Sequence, residues 1–317
     1  MEKQPILHNI HPSGQLVFTL AVAFFTVMII VFFGALLAVP FTGRSAFTMF
    51  EGINLGEGEG LNLMKYLQVI SHLGLFIIPS FIVAWFLGRN IRHYLFLSQI
   101  PRENILLMSG VLIFAAVPFI NYMLELNLQL QLPAPFEGVE NWMRTMEEDA
   151  EQTTRAFLSV ETTRGLLFNL FMIAVIPAIG EELMFRGVLM RIFIRWVKSP
   201  HLAVWITATL FSLIHLQFFG FLPRLILGIL FGYLVIWTGS LWPAIIAHFV
   251  NNAAAVVFFY FFHQHLGEGA LQSMSEGSAG AGLAVGSLMI TLLIMYYFYR
   301  NRTAPPAELQ GGQSSGL

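Results

Sequence analysis

The chain has 317 residues, of which 56% are hydrophobic and 11% charged, and its mean hydropathy is +0.72. A soluble globular chain carries about 25% charged residues, so a soluble enzyme is excluded and an integral membrane domain is expected. The formal charge of −2, from 16 basic and 18 acidic residues, offers no basic patch for nucleic acid, and the lack of cysteine excludes disulfides, thiolate metal sites and a cysteine nucleophile.

A membrane span needs roughly 20 apolar residues at ~1.5 Å rise each. Eight such stretches follow one another: Leu16–Val39, Leu67–Leu87, Ile105–Leu124, Gly165–Ile194, Leu202–Phe219, Leu222–Trp237, Leu241–Phe262 and Gly282–Tyr299. The pattern predicts an all-α integral membrane protein of about eight transmembrane helices, forming one polytopic domain over residues 1–300. The first stretch is longer than the ~7–15 residue apolar region of a cleaved signal peptide, and only Lys3 precedes it as a basic residue. With both termini inside, the inner segments hold nine basic residues: Lys3, Arg89, Arg92, Arg102, Arg191, Arg195, Lys198, Arg300 and Arg302. The outer segments hold five: Arg44, Lys65, Arg144, Arg155 and Arg164. That bias favours cytoplasmic termini.

The first three spans are nearly free of polar residues. His72 and Asn121 stand alone there and read as hydrogen-bonded packing residues. Residues 125–164 then form the longest polar stretch, placed outside. Pro133 and Pro135 mark a loop. After them Trp142, Met146, Ala150 and Phe157 recur near one face of an amphipathic helix, against Glu147, Glu148 and Glu151. Such a helix can lie on the bilayer interface, or it can cover an intramembrane site, since long loops are often functional. The tail 301–317, with Pro305, Pro306 and Gly, Gln and Ser, reads as disordered. No convincing internal repeat is present.

The second half places charge where lipid should be. A charged side chain at the bilayer centre costs at least ~2.5–3.5 kcal/mol, so its presence needs a reason. The fourth span carries Pro177, Glu181, Glu182, Arg186 and Gly187. Glu182 and Arg186 are four apart and can pair on one helix face; Glu181 lies ~100° away on an adjoining face. One carboxylate can thus be neutralised while the other stays free to act as a base. The competing reading puts these charges at a cytoplasmic helix end among the headgroups, but the residues after the motif are still largely apolar.

The fifth span carries Phe211 and His215, and the seventh His248, Asn251 and Asn252. Counted from the cytoplasmic ends, His248 lies ~11 Å and His215 ~20 Å deep, both within a ~30 Å core. Hydrolysis needs a base for water, donors for the developing oxyanion and shelter from solvent, and this set supplies all three. Two imidazoles and a carboxylate could also hold a metal such as zinc, with a second Glu as base, although no His-Glu-x-x-His motif is present. Arg224, after Pro223, suits a headgroup contact or a helix start, or a substrate carboxylate.

At these residues the chain resembles the CPBP family of intramembrane proteases, which comprises type II CAAX prenyl endopeptidases and their bacteriocin-processing, Abi-like self-immunity relatives. The likeness runs through Glu181-Glu182-x-x-x-Arg186, Phe211-x-x-x-His215 and His248-x-x-x-Asn252, in family order, over roughly Gly165–Phe262. It implies that Glu181 activates water with His215 as partner, that His248 and Asn252 bind the oxyanion, and that Glu182 and Arg186 support them. Zinc-dependent and metal-free mechanisms both exist as readings of the family. A glutamate-activated water without a cofactor is favoured here, and Glu181, His215 and His248 would be the ligands of a metal. The implied function is an intramembrane endopeptidase in contact with membrane lipid. Its substrate would be a membrane-associated peptide or protein, lipidated or not, and its place a bacterial inner membrane. The alternatives are a non-enzymatic membrane scaffold or bacteriocin-immunity protein, and a proton-coupled transporter, since buried Glu, His and Arg also make proton relays.

Overall fold

Hydrocarbon offers no water to a backbone N–H or C=O, so a chain this apolar has to close its hydrogen bonds within helices. The computed structural model describes residues 6–262 and 278–303, apart from 8, 44 and 46–57, and among the described residues every regular element is helical. The expected disordered tail lies, from residue 304 onward, outside the described residues.

Helix α1 (Pro12–Thr42) is followed by α2 (Gly58–His72), which runs through a π-helical turn, Leu73–Ile77, into α3 (Ile78–Leu87). A short α4 (Ile91–Tyr94) leads to α5 (Glu103–Leu128) and then to α6 (Glu137–Leu158). The fourth expected span is a single rod of α7 (Thr163–Asn169), α8 (Ile176–Glu182) and α9 (Met190–Val197), joined by π-helical turns at Leu170–Val175 and Leu183–Leu189. Then come α10 (Pro200–Leu213), α11 (Phe221–Thr238), α12 (Trp242–Phe262) and α13 (Ser278–Arg300).

Seven of these stretches are long and apolar enough to cross a membrane, and the protein is an all-α integral membrane protein. Where eight spans are expected, the fifth is shorter than its apolar run: α10 has 14 residues, about 21 Å of helix. Its end is set by Leu216, whose φ of 53° is left-handed and cannot continue a right-handed helix. The residues beyond it, assigned to the fifth span on hydropathy, join the sixth instead, which extends over Phe218–Thr238.

Local chemistry fixes the other ends. The side chain of Thr162 accepts from Gly165 N at the start of α7, and that of Ser199 accepts from Leu202 N at the start of α10, with Pro200 in the first turn. Helix α10 is held close to α11 by small residues. A Cβ on Gly228 would come within 2.9 Å of the Ala208 Cβ, and one on Gly232 within 2.8 Å of Val204 Cγ1. Glycine there lets the two helices approach.

Candidate active site

The fourth span supplies the charges. Arg186 Nη1 donates to Glu182 Oε1 at 2.7 Å, and both side chains are 0% exposed. Arg186 Nη2 also donates to the Gly228 carbonyl at 3.1 Å, and its guanidinium lies over the rings of Phe211 and Phe231, 4.8 and 5.4 Å from their centroids. The i,i+4 pairing expected from the spacing therefore forms, although Leu183–Leu189 is π-helical. Charges among headgroups would be solvated, and these two are not.

Glu181, on the adjoining face, lines a cavity of about 670 Å³ together with His72, His215, Arg224, His248, Asn251 and Asn252. That volume lies within the usual range of ligand sites, roughly 300–1,000 Å³. His248 comes from α12, stacked on Phe231 with 5.2 Å between ring centroids. Its Nδ1 lies 2.9 Å from Glu182 Oε1. A carboxylate only accepts, so Nδ1 carries the proton and donates, and Nε2 stands 3.8 Å from Glu181 Oε2. Glu182 thus receives Arg186 and His248 on one oxygen, and the histidine it orients faces Glu181.

His215 is not within a helix, as the sequence reading has it, but in the turn beyond α10. Its Nδ1 donates to the Phe211 carbonyl at 2.7 Å, which leaves the lone pair on Nε2. Asn252 Nδ2 donates to the Ile173 carbonyl at 3.0 Å. Ile173 lies in the π-helical turn that precedes Pro177, a residue with no backbone N–H. Asn252 thus ties its own helix to that turn, and its Oδ1 accepts from Asn251 Nδ2 at 3.0 Å.

Three placements differ from the sequence reading. His72 is no isolated packing residue: its Nε2 lies 3.3 Å from Glu181 Oε1, across 109 positions of sequence. The available signal was its solitude, since an ionisable side chain inside an apolar span is a site candidate by default. Arg224 lines the cavity, donating from Nη1 to the Gln217 carbonyl at 3.1 Å and from Nη2 to Gln217 Oε1. Asn121, expected to be a packing residue, is exposed and lies away from the cavity.

Helix α6 closes one side of this space. Met146, Asp149, Ala150, Thr153, Thr154 and Phe157 line the cavity, the disposition of a cover and not of a helix facing only the interface. It is docked where α11 begins: Trp142 packs on Phe218 at 5.3 Å between centroids, Arg144 lies 4.6 Å over the Phe219 ring, and Glu147 Oε2 accepts from Phe219 N at 3.2 Å.

A zinc ion would need three or four converging His or carboxylate ligands. Among the described residues no three His, Asp or Glu side chains are gathered in that way.

Residues 163–254 match the family model of Rce1-like proteins, type II CAAX prenyl endopeptidases. The match supports the resemblance to the CPBP family and, with it, a CAAX-type intramembrane endopeptidase in general terms. Glu181, Glu182, Arg186, His215, His248 and Asn252 all fall inside the matched segment, whereas His72 and α6 lie outside it. No curated protein and no solved structure matches the chain.

Proposed function

We propose that the chain hydrolyses a peptide bond of a membrane-associated peptide or protein with water activated by Glu181. The observation that carries this reading is the contrast between two successive carboxylates. Glu182 is closed off by Arg186 and His248, while Glu181 lines a sheltered cavity with the imidazoles of His72, His215 and His248 around it.

In the reaction, Glu181 takes a proton from water as the oxygen attacks the peptide carbonyl. Charge develops on the carbonyl oxygen, and donors aimed at it lower the barrier. His248, in its doubly protonated form, donates from Nδ1 to Glu182 and from Nε2 into the cavity, and the second amide hydrogen of Asn252 serves beside it. Collapse of the tetrahedral intermediate breaks the C–N bond, and the proton held by Glu181 passes to the leaving amine, with the Nε2 lone pair of His215 available as relay. The products are a carboxylic acid and an amine, and no metal takes part. Glu182 and Arg186 keep His248 in its orientation.

Both termini are read as cytoplasmic, in a bacterial inner membrane. The site then opens toward the outer side, because α6, His215 and the start of α11 lie at the span ends away from the termini.

The test is terminal-peptide profiling of membranes carrying the wild type or Glu181→Gln at matched expression, scoring new N-termini and shortened C-termini. Loss of a positioned base costs about 10²–10⁴-fold in rate, so termini present with the wild type should vanish in the variant while its melting temperature is unchanged. Identical termini from both would remove Glu181 from the chemistry.

A further inference from the structure

The two oxygens of Glu181 have different surroundings. Oε2 faces His248 Nε2 at 3.8 Å, beyond a hydrogen bond, whereas Oε1 lies 3.3 Å from His72 Nε2. His72 ends α2 where the π-helical turn Leu73–Ile77 begins, a distortion frequent at functional sites. Its other ring nitrogen, Nδ1, lies 3.2 Å from Gln68 Nε2, one turn back on the same helix.

The chemistry of the partners assigns the protons. A carboxylate only accepts, so His72 Nε2 carries the hydrogen toward Glu181 Oε1. Nδ1 of the neutral ring is then an acceptor, and the Gln68 amide is the group that donates to it. The chain from Gln68 through His72 to the accepting Glu181 is consistent at each link, and both Gln68 and His72 line the cavity. We infer that His72, oriented by Gln68, is a positioning residue that pins Oε1 of Glu181 and leaves Oε2 as the basic oxygen. The inference rests on the hydrolytic reading above and extends the site to the second span, outside the segment that matches the family model.

Two amide side chains separate this role from packing. A glutamine amide can carry an N–H to the position of a histidine Nε2, whereas the asparagine amide is one methylene shorter and falls near Nδ1. The purified full chain in lipid nanodiscs would be assayed on a fluorogenic prenylated Cys-aliphatic-aliphatic-X peptide. His72→Leu should lower kcat about 10- to 100-fold, the worth of a hydrogen bond to a charged group, with KM unchanged. His72→Gln should restore most of the rate and His72→Asn little of it. Gln68→Leu should give a smaller loss with His72 still in place.

A rise in KM alone, or equal loss in the Gln and Asn variants, overturns the inference. An activity-independent reading comes from infrared spectroscopy of the same samples. The carboxylate stretch of Glu181, assigned by its loss in Glu181→Gln, should shift in His72→Leu and return in His72→Gln. No shift overturns the inference whatever the activity. If the wild type cleaves no peptide, the hydrolytic reading fails, and the infrared band alone decides whether His72 holds Oε1.

Discussion

Helix α1 and the Thr163–Val197 run are each long enough to cross a bilayer, yet 11% of an apolar 18-residue window of the first and 56% of one of the second is buried within the protein. The more apolar helix is the less covered one. Lipid tails are as apolar as phenylalanine, so nothing drives the rings of α1 inward, and Phe24, Phe25, Phe32 and Phe33 are left 48–62% exposed. What α1 turns inward is Gln15, Thr19, Ala23, Gly34, Ala35 and Ala38, polar or small residues. The Thr163–Val197 run buries Glu181, Glu182, Arg186 and Arg191 instead, because charge left in hydrocarbon is costly. Between these two spans polarity decides which side chains turn inward, and the charges of the second are enclosed among apolar neighbours such as Leu183, Met184 and Val188.

That contrast is broken most severely at Arg186. Arg186→Met leaves Glu182 buried without its guanidinium partner, and removing one member of a buried pair costs about 3–5 kcal/mol. Phe24→Leu in α1 trades one lipid-facing side chain for another and should leave stability unchanged. Thermal unfolding of both variants in the same detergent makes the comparison. The double variant Glu182→Leu with Arg186→Met should recover most of the loss, since a buried pair replaced by apolar residues is often neutral, but without turnover, because His248 loses the carboxylate that orients it. A melting temperature unmoved by Arg186→Met would place the pair in solvent and undo the contrast.

The fold was largely legible because in a membrane chain hydropathy and length alone mark the helices. It misled at α10, where apolar residues continue past Leu213 but the left-handed Leu216 ends the helix, a backbone property that hydropathy does not carry. The polar set of spans four, five and seven was legible because four-residue spacings report shared helix faces. His72 was not: its partner lies 109 residues away, and no local spacing encodes a contact between spans. Pro177 and Asn252 were each visible in sequence, but not the bond from Asn252 to the Ile173 carbonyl, since a contact between two helices exists only in three dimensions.

A smaller effect is expected at Asn252. Asn252→Ala removes the donor to the Ile173 carbonyl, a part-buried bond, and the loss of such a bond costs about 0.5–1.5 kcal/mol. Turnover should fall as well, since the same amide faces the cavity. Asn251→Ala removes only the donor to Asn252 Oδ1 and should cost less on both measures. Equal effects from the two would mean that the Ile173 carbonyl finds another donor.

The least effect, and the only one set by pH, belongs to α6, whose polar face is exposed. Arg144 donates to Glu140 Oε1 from Nε at 3.1 Å and Nη2 at 2.6 Å, while Leu132 N donates to Oε2 at 2.8 Å, tying the loop before α6 to the helix that covers the cavity. The hydrogen bond from Arg144, and then that from Leu132, hold the Glu140 carboxyl below its ordinary range. A depressed carboxylate contributes while it is ionised, so its contribution is complete above the ordinary range and lost as pH falls through the lowered value. Glu140→Gln should therefore leave turnover at neutral pH nearly unchanged, since exposed pairs are worth little. Hydrogen exchange of the amides in 129–140 should quicken in the wild type on acidification. In Glu140→Gln it should be fast already at neutral pH and respond little to acid; the same acid response in both would show that this carboxylate does not hold the loop to α6.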